Sequence, residues 1–323
     1  MKRRAPRSLF WLCLMMWLPA MAQVPGRIYR VGILSINNTS VELMRQYTLP
    51  AMARDGFVEG SNLVLVVRSA DGAMARLPAL AHELSQSRLD LVIVVSAAAI
   101  DIARKAMPHT PVVMSYGDEP VARGFAASLA QPGGMVTGIS MQARQNNLKR
   151  LEVLRQLLPN ARRFGVLAPA HFNDEQRSEM HTAAGQLGVE LAFANATQRS
   201  DYPAAFAALR SARAEALVTV SHAGYVDDAP ELAQRALAQK LPLLCEWRRM
   251  VASGCLLSFG PTHRELRTRT SNFVVRILRG EAPGVIPIEQ PTRFELVINL
   301  QTAKALGLSM PQSLLLRADE VIE

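Results

Sequence analysis

Ser96 ends the apolar run Leu89–Val95 (LDLVIVV) and opens the alanine-rich segment that follows it. A hydroxyl at such a junction caps a helix, and the backbone N–H groups beside it can hold a carboxylate, aided by the helix dipole. A cap that serves only its own helix is the competing reading. Ala97 is its immediate neighbour, and Asn37, Asn38, Thr39 and Ser40 repeat the arrangement after the run that closes at Ser35, with a plain polar turn as the alternative. Glu119, following Tyr116 and Asp118, is the carboxylate that could receive a cationic amine; a solvated loop acid, or a partner for Arg123, is the other reading. Tyr116, Phe172, Trp247 and Phe259 could stack on an apolar or aromatic body, or pack as core and rim. His171, Asn173, Ser221, His222 and Glu246 follow later apolar runs, where a surface role competes with a site role for each histidine, and Thr137 completes the set. This is the chemistry of recognition: hydrogen bonds, single charges and stacking.

Signatures of bond-making chemistry are missing from the sequence. It has no G-x-S-x-G elbow, and His82-Glu83 lacks the second histidine of a zincin motif. Neither a dinucleotide fingerprint nor a Walker phosphate loop occurs, so no cofactor is expected. Cys245 and Cys255 stand outside any C-x-x-C and have no histidine at zinc spacing, so no metal is expected either. The residues read as a binding protein, with an exported α/β enzyme as the alternative that turnover of a small molecule would reveal.

The elements that must position these residues alternate short β-type runs with helical-period segments. Arg30–Ser35, Leu63–Arg68, Leu89–Val95 and Val112–Ser115 read as strands, with helices up to Arg54 and over Leu77–Gln86 and Ala97–Met107 between them. The pattern restarts after Gln131–Gly134 and Val136–Ser140 with a helix over Asn147–Leu158. Strands at 164–167, 191–194, 216–220, 243–245 and 255–259 follow, with helices between them. Repeated β-α-β with near-continuous apolar strands argues parallel, doubly wound sheets in two lobes. In open α/β sheets, ligands lie outside the carboxyl ends of the strands. That rule selects Ser35, Asn37, Asn38, Ser96, Ala97, Tyr116, Glu119 and Thr137 from the first half, and His171, Phe172, Ser221, His222, Trp247 and Phe259 from the second.

The 323-residue chain is large enough for two domains. Residues 1–22 read as a cleaved secretory signal: Lys2, Arg3, Arg4 and Arg7 precede the apolar run Leu9–Leu18, and Ala20-Met21-Ala22 offers small residues at −3 and −1. An uncleaved anchor is the alternative, although the run is about half the ~20 residues a spanning helix needs. The formal charge of +9 includes four basic and no acidic residues in 1–22, which leaves +5 from Gln23 onward. With 6% aromatics and no basic-aromatic cluster, a nucleic-acid surface is not expected. Cys245 and Cys255 could form a disulfide in an oxidising compartment or remain two buried thiols.

The tail Glu289–Glu323, EQPTRFELVINLQTAKALGLSMPQSLLLRADEVIE, resembles the C-terminal block of periplasmic solute-binding proteins that serve ABC importers, a family whose better-understood members bind tryptophan and other aromatic amino acids. The resemblance extends to Gly56–Asn62, Arg76–Ala81, Ala127–Gly134 and Val136-Thr137-Gly138. It implies a type I periplasmic-binding fold whose lobes are joined by a three-crossover hinge, with residues 23–140 and 261–288 in lobe one and 141–260 and 289–323 in lobe two. It further implies a monomer that captures an amino acid or related carboxylate by hinge closure and delivers it to a membrane permease. A periplasmic sensor of the same fold is the alternative. The sequence departs from the family pattern at Glu119-Pro120 preceded by Asp118 (usually Asp-Pro), at Met135 (often Asn) and at Ala168-Pro169 (commonly Asn-Pro), all expected near the ligand.

Overall fold

The computed structural model describes residues 26–323, so the expected signal sequence lies outside the described residues. The first lobe is built from β1 (Tyr29–Ser35), α1 (Asn38–Leu43), α2 (Leu49–Arg54), β2 (Leu63–Ser69), α3 (Leu77–Ser85), β3 (Leu91–Val95), α4 (Ala97–Ala106), β4 (Val112–Gly117) and β5 (Val136–Ser140). A π-helical turn at Met44–Thr48 joins α1 to α2. The five strands pair in the order β2-β1-β3-β4-β5, all parallel. All five residues of β3 are buried, which is what a central strand covered by helices on both faces requires. Each such Val, Leu or Ile stabilises by roughly 1.5–3 kcal/mol relative to exposure.

The second lobe continues with α5 (Ala143–Leu157), β6 (Arg163–Ala168), α6 (Asp174–Gln186), β7 (Glu190–Asn195), α7 (Tyr202–Ser211), β8 (Ala216–Thr219), α8 (Gly224–Asp227), α9 (Ala229–Ala238), β9 (Leu243–Cys245), α10 (Arg248–Ala252) and β10 (Leu257–Pro261). Next comes α11 (His263–Leu278), which packs against the π-turn, α2, β4 and β5 of the first lobe. The chain then returns to the second sheet as β11 (Phe294–Asn299), α12 (Leu300–Leu306), α13 (Gln312–Leu315) and β12 (Glu320–Ile322). Strand order here is β12-β11-β10-β9-β8-β6-β7, and β6 to β10 repeat the order of β1 to β5.

Two features differ from the sequence expectation, and a third resolves an alternative it left open. The second sheet is mixed, because β11 runs antiparallel to β10, as a strand entering from the opposite lobe can. Helix α5 begins at Ala143, four residues before the expected start, after Gln142 turns the chain in a left-handed conformation (φ 52°). Cys245 and Cys255 are joined as a disulfide, with Cα atoms 6.4 Å apart, which ties the end of β9 to the approach of β10. One glycine is indispensable nearby. A Cβ on Gly260 would stand 2.2 Å from the Glu246 carbonyl oxygen, so only glycine lets β10 pass this close to the segment after β9.

Candidate ligand cleft

Strand order reverses between β1 and β3 in one sheet and between β6 and β8 in the other, and at such switch points adjacent βα loops part and leave a crevice. The two crevices face each other across a cleft of about 400 Å³. Ile36 and Ser96 follow β1 and β3 in the first wall, and Pro169, His171, Phe172 and Asn173 with Ser221–Ala223 follow β6 and β8 in the second. Tyr116, Gly117, Asp118 and Glu119 extend the first wall, with Asp101 and Arg123 beside them. Met141, Ala143, Asn147 and Gln176 extend the second.

Ser96 caps α4, its Oγ accepting from the Ala99 N–H at 3.2 Å. Asn173 and Gln176 form a reciprocal capping box that opens α6 on the opposite wall. Asp118 accepts from the Ala143 N–H at 3.3 Å, and burial, then the neighbouring charge of Glu119, pushes its carboxyl up to about 6. Glu119, expected to receive a ligand amine, is instead ion-paired to Arg144 on α5. The same guanidinium reaches Glu179 at 2.6 Å and Glu175 at 3.2 Å on α6. A carboxylate held by a guanidinium is a poor receptor for a second cation.

His222 is buried, and neither ring nitrogen has a hydrogen-bond partner within the described protein. Its ring lies 4.7 Å from Tyr225 and 5.8 Å from His171. Burial, then His171, pushes it down to about 4, so it is neutral at pH 7 and offers one donor and one acceptor. His171 is lowered as well, by burial and then by Arg123. Phe172 lines the same wall and stacks on Phe193 at 6.1 Å.

Beneath the cleft floor lies a buried polar network, of which sequence reading missed Arg150 and Asn147. Arg150 on α5 is wholly buried and stands 3.2 Å from Glu246 Oε1, itself 3% exposed. It donates also to Asn147 Oδ1 (2.9 Å) and to the Phe259 carbonyl (2.9 Å). Glu246 further accepts from Ser221 Oγ at 2.6 Å and from the Tyr116 hydroxyl at 2.8 Å. A signal for Arg150 was present. It falls in register with Asn147, Leu151 and Leu154 on the buried stripe of α5.

Of the residues expected at the site, Ser96, Tyr116, Glu119, His171, Phe172, Ser221 and His222 line the cleft, and Ala97 opens α4 beside it. Six do not line it. Ser35 is buried and bonded to the Asn37 carbonyl. Asn37 caps α1 and donates across the lobe boundary to the Ala223 carbonyl at 3.0 Å. Asn38 turns to Asp71 at the surface. Thr137 donates to the Ile286 carbonyl inside the first lobe. Trp247 is buried in a stack with His263 at 3.9 Å, and Phe259 stacks on Phe294. Of the sequence departures expected near ligand, Met135 sits just before β5, at the strand end away from the cleft, and Ala168 is buried within β6.

The two lobes thus present short polar side chains, the partly buried carboxylates Asp101, Asp118 and Glu119, and aromatic rings to one cleft, a set suited to holding a small polar molecule. Comparison with known proteins agrees. The chain is similar to a tyrosine-binding protein of Clostridioides difficile (strain R20291), 24% identical over 275 residues that cover 84% of this chain and 79% of that protein. Its fold matches a conserved domain protein from Vibrio cholerae O1 biovar eltor (TM-score 0.84, 23% identity, 91% of this chain and all of the other). It matches equally an ABC domain in complex with L-Trp from Streptococcus pneumonia (TM-score 0.82, 22% identity, 91% and all). The family model described as ABC transporter substrate binding protein matches residues 31–322, and the chain belongs to that family.

Proposed function

We propose that this protein is the periplasmic solute-binding component of an ABC importer, and that it captures an amino acid or related carboxylate between its lobes by hinge closure. One observation carries the reading: on one cleft wall both nitrogens of the buried His222 have no partner among the described residues, and on the other stands the partly buried Asp118, held by the Ala143 N–H and raised by burial. A ligand ammonium meets Asp118, and a carboxylate meets the N–H groups that open α4 at Ser96. An apolar or aromatic body lies among Phe172, His171 and Tyr116, with its polar tip at His222. Relatives whose names refer to tyrosine and L-Trp support an aromatic amino acid.

In this reading residues 1–22 are a signal peptide removed on export. Residues 23–140 with 261–288 form one lobe, and residues 141–260 with 289–323 the other. The matching strand orders and the packing of α11 on β4 and β5 support that division. No helix among the described residues is long and apolar enough to cross a membrane. The protein works as a monomer with an inner-membrane permease as partner, without cofactor, metal, nucleic acid or turnover.

A thermal-shift screen of the chain from Gln23 onward tests this. A ligand that binds only the folded state, at 100 times its Kd, adds about 2.7 kcal/mol. Stabilisation by aromatic amino acids, together with a smaller radius in solution scattering, is the expected result. Stabilisation only by carboxylates without an amino group would remove the role given to Asp118. Silence across amino acids and carboxylates would sink the ligand class.

A further inference from the structure

The fully buried charged side chains of the described protein do not balance. Arg150 (0% exposed) and Arg267 (2%) are cations, and Glu246 (3%) is the one anion in that class. Glu246 is already shared among Arg150, Ser221 and Tyr116. Arg267, on α11, has no carboxylate partner among the described residues. One terminal nitrogen donates to Ser115 Oγ, and its Nε has no hydrogen-bond partner among the described residues. Burial pushes the guanidinium down only to about 10, so it stays charged at pH 7. An isolated buried charge of this kind is too costly to leave uncompensated.

Arg267 lines a second, small cavity of about 20 Å³, separate from the ligand cleft although Tyr116 and Ala223 border both. That volume admits a single water-sized or halide-sized occupant. His263, one turn before Arg267, lines the same cavity, and its buried Nε2 also lacks a partner. The ring is held flat on Trp247, 3.9 Å away, so it cannot swing out to find one. Val226 and Trp247 close the cavity from the second lobe, and Asn37, Thr39 and Val95 close it from the first.

We propose that this interlobe cavity binds a small inorganic monoanion of halide size, held by Arg267 Nε and the Nε2–H tautomer of His263. A monoanion brings the buried charge to zero and satisfies both orphan nitrogens at once; a water would satisfy the nitrogens and leave the charge. Because both lobes wall the cavity, the anion is enclosed only when the lobes are together, so it favours the closed form. The proposal does not depend on the identity of the solute or on a transport role.

The test uses the whole mature chain. Crystals grown in bromide should show an anomalous peak within hydrogen-bond reach of Arg267 Nε. Melting temperature should climb with the logarithm of chloride concentration when gluconate, too large for the cavity, keeps ionic strength constant. The Arg267→Met variant should lose that slope, and if it does not fold, the bromide map and the wild-type salt series still decide. An ordered water with no anomalous peak overturns the proposal. Equal wild-type melting in both salts overturns it too, as does a slope that Arg267→Met retains. A bromide peak without any melting slope marks an adventitious ion only and counts against it as well.

Discussion

The Tyr116 hydroxyl, at the end of β4 in the first lobe, donates to Glu246 Oε2 in the second lobe across 2.8 Å, and the Tyr116 ring lies 5.6 Å from that of Trp247. With the Asn37–Ala223 bond, this joins the lobes through protein groups alone. The carboxylate that receives the tyrosine is the same one that neutralises Arg150. Lobe closure and the buried charge network therefore share one residue.

Tyr116→Phe keeps the ring and removes the latch, leaving the buried carboxylate one donor short. Ligand binding should weaken by about 1–3 kcal/mol, as for a lost hydrogen bond to a charged group. The ligand-free variant should scatter with a larger radius than the wild type and converge with it at saturating ligand. Identical scattering curves without ligand would show that the latch does not hold the lobes.

Removing one member of the buried pair leaves the other uncompensated. Arg150→Met and Glu246→Gln should each lose about 3–5 kcal/mol of unfolding free energy. The double variant should lose much less than the two combined. Urea titrations of all four proteins give the coupling; additive losses would mean that the pair is not formed.

Asp118, pushed up to about 6, and His222, pushed down to about 4, set opposite acid responses. The folded carboxyl binds its proton more readily than the unfolded one at 3.8, so its stability contribution is present below 3.8 and lost as pH rises through about 6. The folded imidazole binds its proton less readily than the unfolded one at 6.5, so stability falls from 6.5 down to about 4. Between pH 4 and 6 the two slopes oppose each other. Asp118→Asn should therefore steepen acid destabilisation in that window by roughly 1.4 kcal/mol per pH unit, readable by denaturation at stepped pH. Affinity for an aminated ligand, which needs the ionised carboxylate, should drop below pH 6 in the wild type. That drop should be absent in Asp118→Asn.

The disulfide closes a ten-residue separation beside Glu246. Loop-closure entropy gives it about 2–3 kcal/mol. Cys245→Ser with Cys255→Ser should lower stability by that amount, and reductant should do the same to the wild type without affecting the double variant. Equal stability with and without reductant would mean the bond is not formed in solution.

Much of the fold was legible in local pattern. The fully apolar Leu91–Val95 announced a central strand, and the restart after Val136–Ser140 announced a second sheet of the same kind. The rule that loops gather at carboxyl strand ends placed Ser96, His171, Ser221 and His222 on the cleft, because each is the first or nearly the first polar residue after a strand at a switch point. The same rule failed for Ser35, whose hydroxyl turns back to the Asn37 carbonyl, and for Trp247, which stacks on His263 of α11.

Local sequence sufficed for the order of strands and helices, the cap at Ser96, and the family, whose most telling tail block forms β11, α12, α13 and β12 and does not line the cleft. Tertiary packing was needed to show that Glu119 belongs to Arg144, that Glu246 is shared by both lobes, and that Arg267 is buried with no carboxylate partner among the described residues. The reason is physical. Helix and strand periods follow from interactions within a few residues, whereas the state of a charge depends on what distant segments bring to it. Arg150 and Glu246 are 96 positions apart in sequence and 3.2 Å apart in space, and nothing local records that they meet.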